Sequence, residues 1–343
     1  MSSNAVRTSS AVQSSIRNGQ PVVALETAVL THGLPRTPLP APACFAADSP
    51  LHDLLGIELA WDETLPANQQ LGAMLERVVE HAGAVPAFVG VIDDGLQVGL
   101  DEDQRTRLGA DETAGKASIR DLAPLIAQGR NGGTTVAATL RACRLAEPEP
   151  IRVFATGGIG GVHRDWQKRP DVSADLKALA GEPVAVIASG AKVILDLPAT
   201  IEALDALGVP IIGYGTDELP RFTAAPGNEL PVPHRADDPE TVASICAMHW
   251  NSIGSDAAVL IANPCPAGLE SDVDRLDRLV NAGLAEAAAL GIEGAEVTPF
   301  LLGAMGRDPD ASTISANMAL LLSNALLASN IAIAFASDRG NRA

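Results

Sequence analysis

The sequence predicts an α/β protein built on a mostly parallel sheet covered by helices. The main observation is a repeated theme between residues 151 and 218. IRVFATGGIGG, PVAVIASGAK and VPIIGYGTDE each read as a short apolar strand ending in small residues. The helical patterns SADLKALA and PATIEALDAL lie between them. Parallel strands need a crossover, and a helix supplies it, so this alternation points to a parallel sheet. A second observation is bulk: 343 residues with 47% apolar content suffice for a large core in one elaborate domain or two ordinary ones.

The chain opens with MSSNAVRTSSAVQSSIRNG, which has no apolar stretch of the kind a secretory signal carries. Residues 1–20 are expected to form a flexible tail, and 21–340 a single α/β/α domain. VVALETAV, 22–29, reads as a strand followed by the turn-prone THGLP. Residues 36–69 are rich in Pro, Ala and Asp, and suggest a surface insertion or irregular lid. NQQLGAMLERVVEHAG, 68–83, has helical apolar spacing and a glycine stop. In PAFVGVIDDGLQVGL the DDG punctuates two short strands as in a hairpin. GRNGGTTVAATL, 129–140, is a glycine/threonine turn opening a helix. AAVLIANPCP, 257–266, adds a strand closed by prolines, and two helices complete the chain. The run MALLLSNALLASNIAIAFA, 318–336, approaches bilayer length, but Asn324, Ser329 and Asn330 interrupt it and favour a buried helix.

Composition narrows the function. A formal net charge of −18 repels nucleic-acid backbone over most of the surface. Aromatic content of 3% argues against base-stacking platforms. Neither excludes a small anion, because a few cations and backbone amides can invert the field inside one cleft. The four cysteines contain no CxxC pair, so they suggest buried thiols in a reducing compartment rather than a disulfide scaffold or a thiolate zinc site.

Ligands of parallel sheets gather at the carboxyl ends of strands, so the glycine-rich ends form the expected functional rim. FATGGIGGVHR lacks the GxGxxG order of a dinucleotide site; it reads as a turn that bares N–H groups to an anion, or as a plain tight turn. Asp171 precedes the SADLKALA helix. It or Ser173 would serve as an N-cap, and Asp171 is also a hard ligand suited to Mg²⁺ or Mn²⁺. The GGTT turn could receive a phosphate or merely cap its helix. Lys116 is an isolated cation whose default is a surface lysine. Glu26 interrupts an apolar strand pattern, so it either faces outward or faces a cleft where burial raises its pKa. Lys192, at the end of SGAK, is an amine at a desolvated strand end, suited to attack a carbonyl-like carbon.

The motifs LETAVLTHGLP, GKASIRDL, GGTTVAAT, FATGGIGGVHR, DVSADL, SGAKVILDLP, GVPIIGYGTDE, IANPCP and ANMALLLSNA stand in the order of the pseudouridine-5'-phosphate glycosidase family, which this chain resembles from about residue 21 to 336. The resemblance implies a three-layer α/β/α sandwich with a mostly parallel or mixed central sheet, in a cytoplasmic homotrimer. It implies reversible cleavage of the C–C glycosidic bond of pseudouridine 5'-phosphate to uracil and ribose 5-phosphate, through a lysine-bound, ring-opened sugar. It implies one Mn²⁺ per subunit on Asp171. By position, Glu26 matches the proton donor and Lys192 the nucleophile. Lys116, Val136, Ser173, Ala174 and Asp175 match substrate contacts, and His163 and Asn317 further polar members of the pocket. The 36–69 stretch departs from the family pattern and is expected near the pocket mouth. Competing expectations are a lyase acting on a related ribosyl phosphate and a catalytically dead oligomeric binder, which the presence of Glu26, Lys116, Asp171 and Lys192 disfavours.

Overall fold

The computed structural model describes residues 5–164, 166–167, 170–225, 230–292, 297, 300–301 and 312–342. In chain order the first half runs β1 (Val6–Thr8), α1 (Ser10–Arg17), β2 (Val22–Leu25), α2 (Pro50–Leu55), α3 (Ala67–His81), β3 (Val85–Ile92), β4 (Gly95–Val98), α4 (Glu102–Ala110), β5 (Gly115–Ala117), α5 (Ile119–Ala127), β6 (Gly132–Thr134) and α6 (Val136–Leu145). The second half runs β7 (Val153–Ala155), α7 (Ala174–Leu179), β8 (Ala185–Ala188), α8 (Leu197–Ala206), β9 (Ile211–Tyr214), β10 (His234–Ala236), α9 (Pro239–Ala247), β11 (Val259–Ala262), α10 (Val273–Ala289) and α11 (Ser312–Arg342).

One sheet carries the order β1-β4-β3-β2-β7-β8-β11-β9-β10, with β6 pairing β3 and β5. Every neighbour from β3 through β10 is parallel; only the β3–β4 and β3–β6 pairs are antiparallel. The expected hairpin is the β3–β4 pair, and its turn residues Asp93 and Asp94 stand at φ 52° and 58°, as a two-residue hairpin turn requires.

Helices cover both faces, giving the expected three layers. Side chains alternate between them with the strand period of two. Val22 and Ala24 of β2, Val186 and Ala188 of β8, and Leu260 and Ala262 of β11 enter one core with α5, α6, α7 and α8. Val23 and Leu25, Ala185 and Ile187, and Val259 and Ile261 enter the other with α3, α9 and α11. Helix α11 contains the long apolar run. Leu320, Leu322, Ala325, Ala328 and Ile331 are fully buried, so its hydrophobicity belongs to the core, as its interruptions suggested.

Two expectations are corrected. Residues 6–17 are not a loose tail: Val6 pairs with Leu96 on β4, Ser9 caps α1 by accepting the Val12 N–H, and Val12 is buried. The signal was faint because so short an element buries few apolar side chains. Residues 36–69 are not an irregular surface lid either. Cys44, Leu51 and Leu59 are fully buried against the α3/α11 side, and Phe45 stacks on Trp61 with ring centroids 5.2 Å apart. Prolines hide the periodicity there, yet the apolar side chains still find the core.

Candidate functional site at the strand ends

Glu26 does not lie inside a strand. Strand β2 ends at Leu25, which pairs with Ala155, the last residue of β7. The next residues on the two strands, Glu26 and Thr156, therefore leave the sheet side by side, and Thr156 Oγ1 donates a short hydrogen bond to Glu26 Oε1. Burial pushes the Glu26 carboxyl above its ordinary range; Lys192, the Thr156 bond and Lys116 oppose that, while Asp175 adds to it.

Lys192 follows β8 by four residues. Its backbone N–H donates to Ile159 O at 3.2 Å, which binds the SGAK turn to the glycine turn after β7. Gly190 makes this possible: it stands at φ 73°, and a Cβ there would lie 2.0 Å from Pro220 O. The Lys192 side chain is half-buried, and its charge acts on Glu26, Lys116 and His163 alike. The turn runs on to Asp196, the cap of α8, so Lys192 sits in a loop rather than at a helix start.

Asp175 is buried at the first turn of α7. Its Oδ1 accepts the Ala137 N–H at 3.0 Å and its Oδ2 the Gly160 N–H at 2.8 Å. Both oxygens are engaged by backbone, so this carboxylate joins the α6 N-terminus to the glycine turn. Ser173 is the N-cap of α7, accepting from the Asp175 N–H, and exposed Ala174 opens the helix. Gly160 has no room for a side chain, because a Cβ would stand 2.3 Å from Ser173 Oγ.

Lys116 projects from β5 and is exposed by area, yet surrounding protein desolvates its amine enough to lower its pKa. Lys192 lowers it further, against Glu26 and Asp175. It is a cleft lysine, not the surface lysine that its local sequence suggests. Val136 begins α6 with its side chain in the core, leaving only backbone for contact with a ligand. Thr135 Oγ1, at the same helix start, is buried without a hydrogen-bond partner. His32 also feels Lys116; burial first, then Lys116 and Arg36, lower its pKa.

Asp171 Oδ2 lies 3.6 Å from His163 Nδ1, and the two backbones pair through His163 N–H to Asp171 O at 3.0 Å. Burial lowers the His163 pKa, Asp171 opposes, and Lys192 adds to the lowering. Among the described residues no three His, Cys, Asp or Glu side chains converge. One partly exposed carboxylate with an imidazole beside it fits a mostly hydrated Mn²⁺ or Mg²⁺, and does not fit a closed protein cage. Asn317 is half-buried on α11, two residues beyond Ser315, whose Oγ accepts the Cys44 N–H at 2.8 Å. The 36–69 segment thus abuts the part of α11 that carries Asn317.

Sequence reading missed Thr156 and Asn324. Asn324 is fully buried on α11. Its Nδ2 donates to Thr156 O at 2.8 Å and to Ser189 Oγ at 3.2 Å, and its Oδ1 accepts from Asn263 Nδ2 at 2.8 Å. A polar residue interrupting an apolar helix was the available signal; its partners lie 61 to 168 residues away.

A parallel-sheet sandwich with an acid, amines and glycine turns beyond its strand ends has the form of an α/β enzyme, in which ligands gather on that rim. The family model for indigoidine synthase A like protein matches residues 63–334. A pseudouridine-5'-phosphate glycosidase of Herpetosiphon aurantiacus is 41% identical over 94% of this chain and 95% of its own length. One of Myxococcus xanthus is 40% identical over 96% and 98%. Among solved structures, the prealnumycin C-glycosynthase AlnA in complex with ribulose 5-phosphate superposes with a TM-score of 0.81 at 30% identity, covering 99% of this chain and 100% of its own. An indigoidine synthase A-like protein of Thermotoga maritima gives 0.76 at 30% identity, over 96% and 95%. The chain belongs to the indigoidine synthase A-like family, together with the pseudouridine-5'-phosphate glycosidases.

Proposed function

We propose that this enzyme reversibly cleaves the C–C glycosidic bond of pseudouridine 5'-phosphate to uracil and ribose 5-phosphate. The observation that carries the reading is that buried Glu26, just past β2, lies in the field of Lys192, past β8 and one strand removed across β7, in a chain about 40% identical to glycosidases of that name.

A C–C glycoside has no leaving oxygen or nitrogen to protonate, so the paired-carboxylate route to glycoside cleavage fits poorly. Lysine chemistry supplies an alternative. The neutral Lys192 amine bonds to C1' as the C1'–O4' pair goes to O4' and the ribose ring opens; the proton that the nitrogen sheds passes to O4', which restores the nitrogen lone pair. Glu26, whose hold on its proton burial strengthens, gives that proton to uracil C5. The nitrogen lone pair then forms a C1'=N imine while the C1'–C5 pair returns to the uracil ring as C5=C6. Water hydrolyses the imine and frees Lys192. The 5'-phosphate is placed against Lys116, the Val136 N–H and the partnerless Thr135 hydroxyl at the α6 N-terminus, where the helix dipole favours an anion. Ser173, Ala174 and the glycine turn, tied to that terminus through Asp175, are further substrate contacts, with His163 and Asn317 as polar members of the pocket.

Asp171, with His163 beside it, would hold one Mn²⁺ per subunit, whose charge organises bound substrate. Exposed Met248, Ile253 and Leu290 support burial between copies, in a homotrimer. Four buried thiols suit the cytoplasm.

The test is ultraviolet release of uracil from pseudouridine 5'-phosphate in the presence of Mn²⁺, with uridine 5'-phosphate and pseudouridine alongside. Release from the first alone is expected; no release defeats the reading. The likeness to a C-glycosynthase favours a second reading, in which another aromatic carbon acid joins the sugar phosphate. Mass detection of new C-glycosides from ribose 5-phosphate and competing aromatic acceptors separates the two.

A further inference from the structure

We propose that Thr156 and Asn324 form a positioning pair that aims the Glu26 carboxyl and sets when it gives up its proton. The inference rests on the reading of Glu26 as proton donor. Three strand ends carry it. Thr156 follows β7, Ser189 follows β8 and Asn263 follows β11, each by one residue. Backbone hydrogen bonds continue past the strands here: Thr156 N–H to Ile187 O at 3.0 Å, Ser189 N–H to Gly157 O at 2.9 Å, and Asn263 N–H to Ala188 O at 2.9 Å.

Asn324 spans all three. It reaches the Thr156 carbonyl, the Ser189 hydroxyl and the Asn263 amide, and Asn263 Nδ2 also donates to Ser323 Oγ at 3.2 Å. Leucine would pack as well at a fully buried position inside an apolar helix, and an amide is costly there unless satisfied. Here it is satisfied, and by the two turns that lead to Thr156 and to Lys192. Thr156, itself buried, spends its hydroxyl proton on Glu26. A hydroxyl that donates to a carboxyl favours the ionised form, so Thr156 opposes the effect of burial and keeps the Glu26 proton transferable. The other groups facing Glu26 are Lys192 on the SGAK turn, Lys116 on β5 and Asp175 on α7.

The test compares Thr156→Val, Thr156→Ser, Asn324→Asp and Thr156→Val/Asn324→Asp with the unaltered enzyme, using pseudouridine 5'-phosphate and Mn²⁺ across a pH series. Thr156→Val removes the hydroxyl at nearly constant shape. It should lower kcat about tenfold or more, leave KM within about twofold, and move the alkaline limb of kcat/KM up by about one pH unit, because Glu26 then keeps its proton longer. Thr156→Ser should restore both values. Asn324→Asp replaces the donor to Thr156 with an acceptor and should lower kcat with KM nearly unchanged; in the Thr156→Val background it should lower kcat little further. Glu26→Gln is the control. If it is inactive while Thr156→Val keeps the original kcat and limb, the positioning role is wrong and the proton-donor reading stands. If Glu26→Gln retains turnover, both fall. Asn324→Asp that lowers only the thermal midpoint removes Asn324 from the proposal. Should that variant not fold, the Thr156→Val and Thr156→Ser pair decides.

Discussion

Asp175 Oδ2 accepts the Gly160 N–H at 2.8 Å, so a buried carboxylate holds the glycine turn against the helix that opens with Val136. Its other oxygen is equally committed. Asp175→Asn offers only one acceptor oxygen and orphans one of two buried N–H groups. The expected cost is about 1–3 kcal/mol of stability, read as a lower denaturation midpoint. The α6 N-terminus, proposed above to receive the phosphate, loosens with it, so KM should rise more than kcat falls. Unchanged stability and KM would show that the two turns hold themselves.

Glu26 makes stability depend on pH. Its folded-state pKa is raised, so the folded protein holds that proton more tightly than the unfolded chain. The contribution is fully present below the ordinary Glu range and is lost as pH rises through the raised value. Glu26→Gln has no such loss. Denaturant midpoints of the two proteins should nearly coincide in acid and diverge toward alkaline pH, with Gln the more stable. A constant gap at all pH values would contradict this.

Lys192→Ala should lose essentially all turnover while still binding substrate. Borohydride treatment with ribose 5-phosphate should add one reduced sugar to the intact protein, and peptide digestion should map it to Lys192. An active enzyme with no adduct at Lys192 would falsify the imine route and leave the lysine as a phosphate contact.

Asp171 and His163 predict a weak, hydrated metal site. Exhaustive chelation should abolish turnover, and added Mn²⁺ should restore it. Asp171→Ala should require roughly 10- to 100-fold more Mn²⁺, by analogy with the loss of other metal-organising groups. Full activity after chelation rules the metal out as a participant.

The thiols should be silent in the native protein. Burial pushes Cys44 up to about 11 and Cys265 up to about 12, and raises Cys143 and Cys246 as well. At pH 8 a thiol reagent should label almost nothing until denaturant exposes all four cysteines. Rapid labelling of the native protein would mean that one of them opens to solvent.

The alternation of strand, small-residue turn and helix was legible because parallel strands buried on both faces need unbroken apolar runs, and their crossovers need helical spacing. The hairpin at Asp93 and Asp94 and the burial of 318–336 were legible for similarly local reasons. Residues 6–17 and 36–69 were not, because their few apolar side chains follow no sustained period. They are ordered by β4 and α11, which lie far away in sequence.

At the site, the sequence by itself supplied the chemical types: an acid after VVAL, an amine after SGA, a carboxylate before an α7-like pattern. Motif order joined these to one family. Tertiary structure alone decided what each group experiences. The sheet register sets Glu26 beside Thr156, and burial raises its proton affinity against the charges of Lys192 and Lys116. It brings Lys116 from a polar stretch into the field of Lys192, and gives Asp175 two backbone partners rather than a free carboxylate. It also makes Asn324 the centre of a network among groups distant in the chain. Desolvation and hydrogen bonding depend on three-dimensional neighbours, which a linear pattern does not contain.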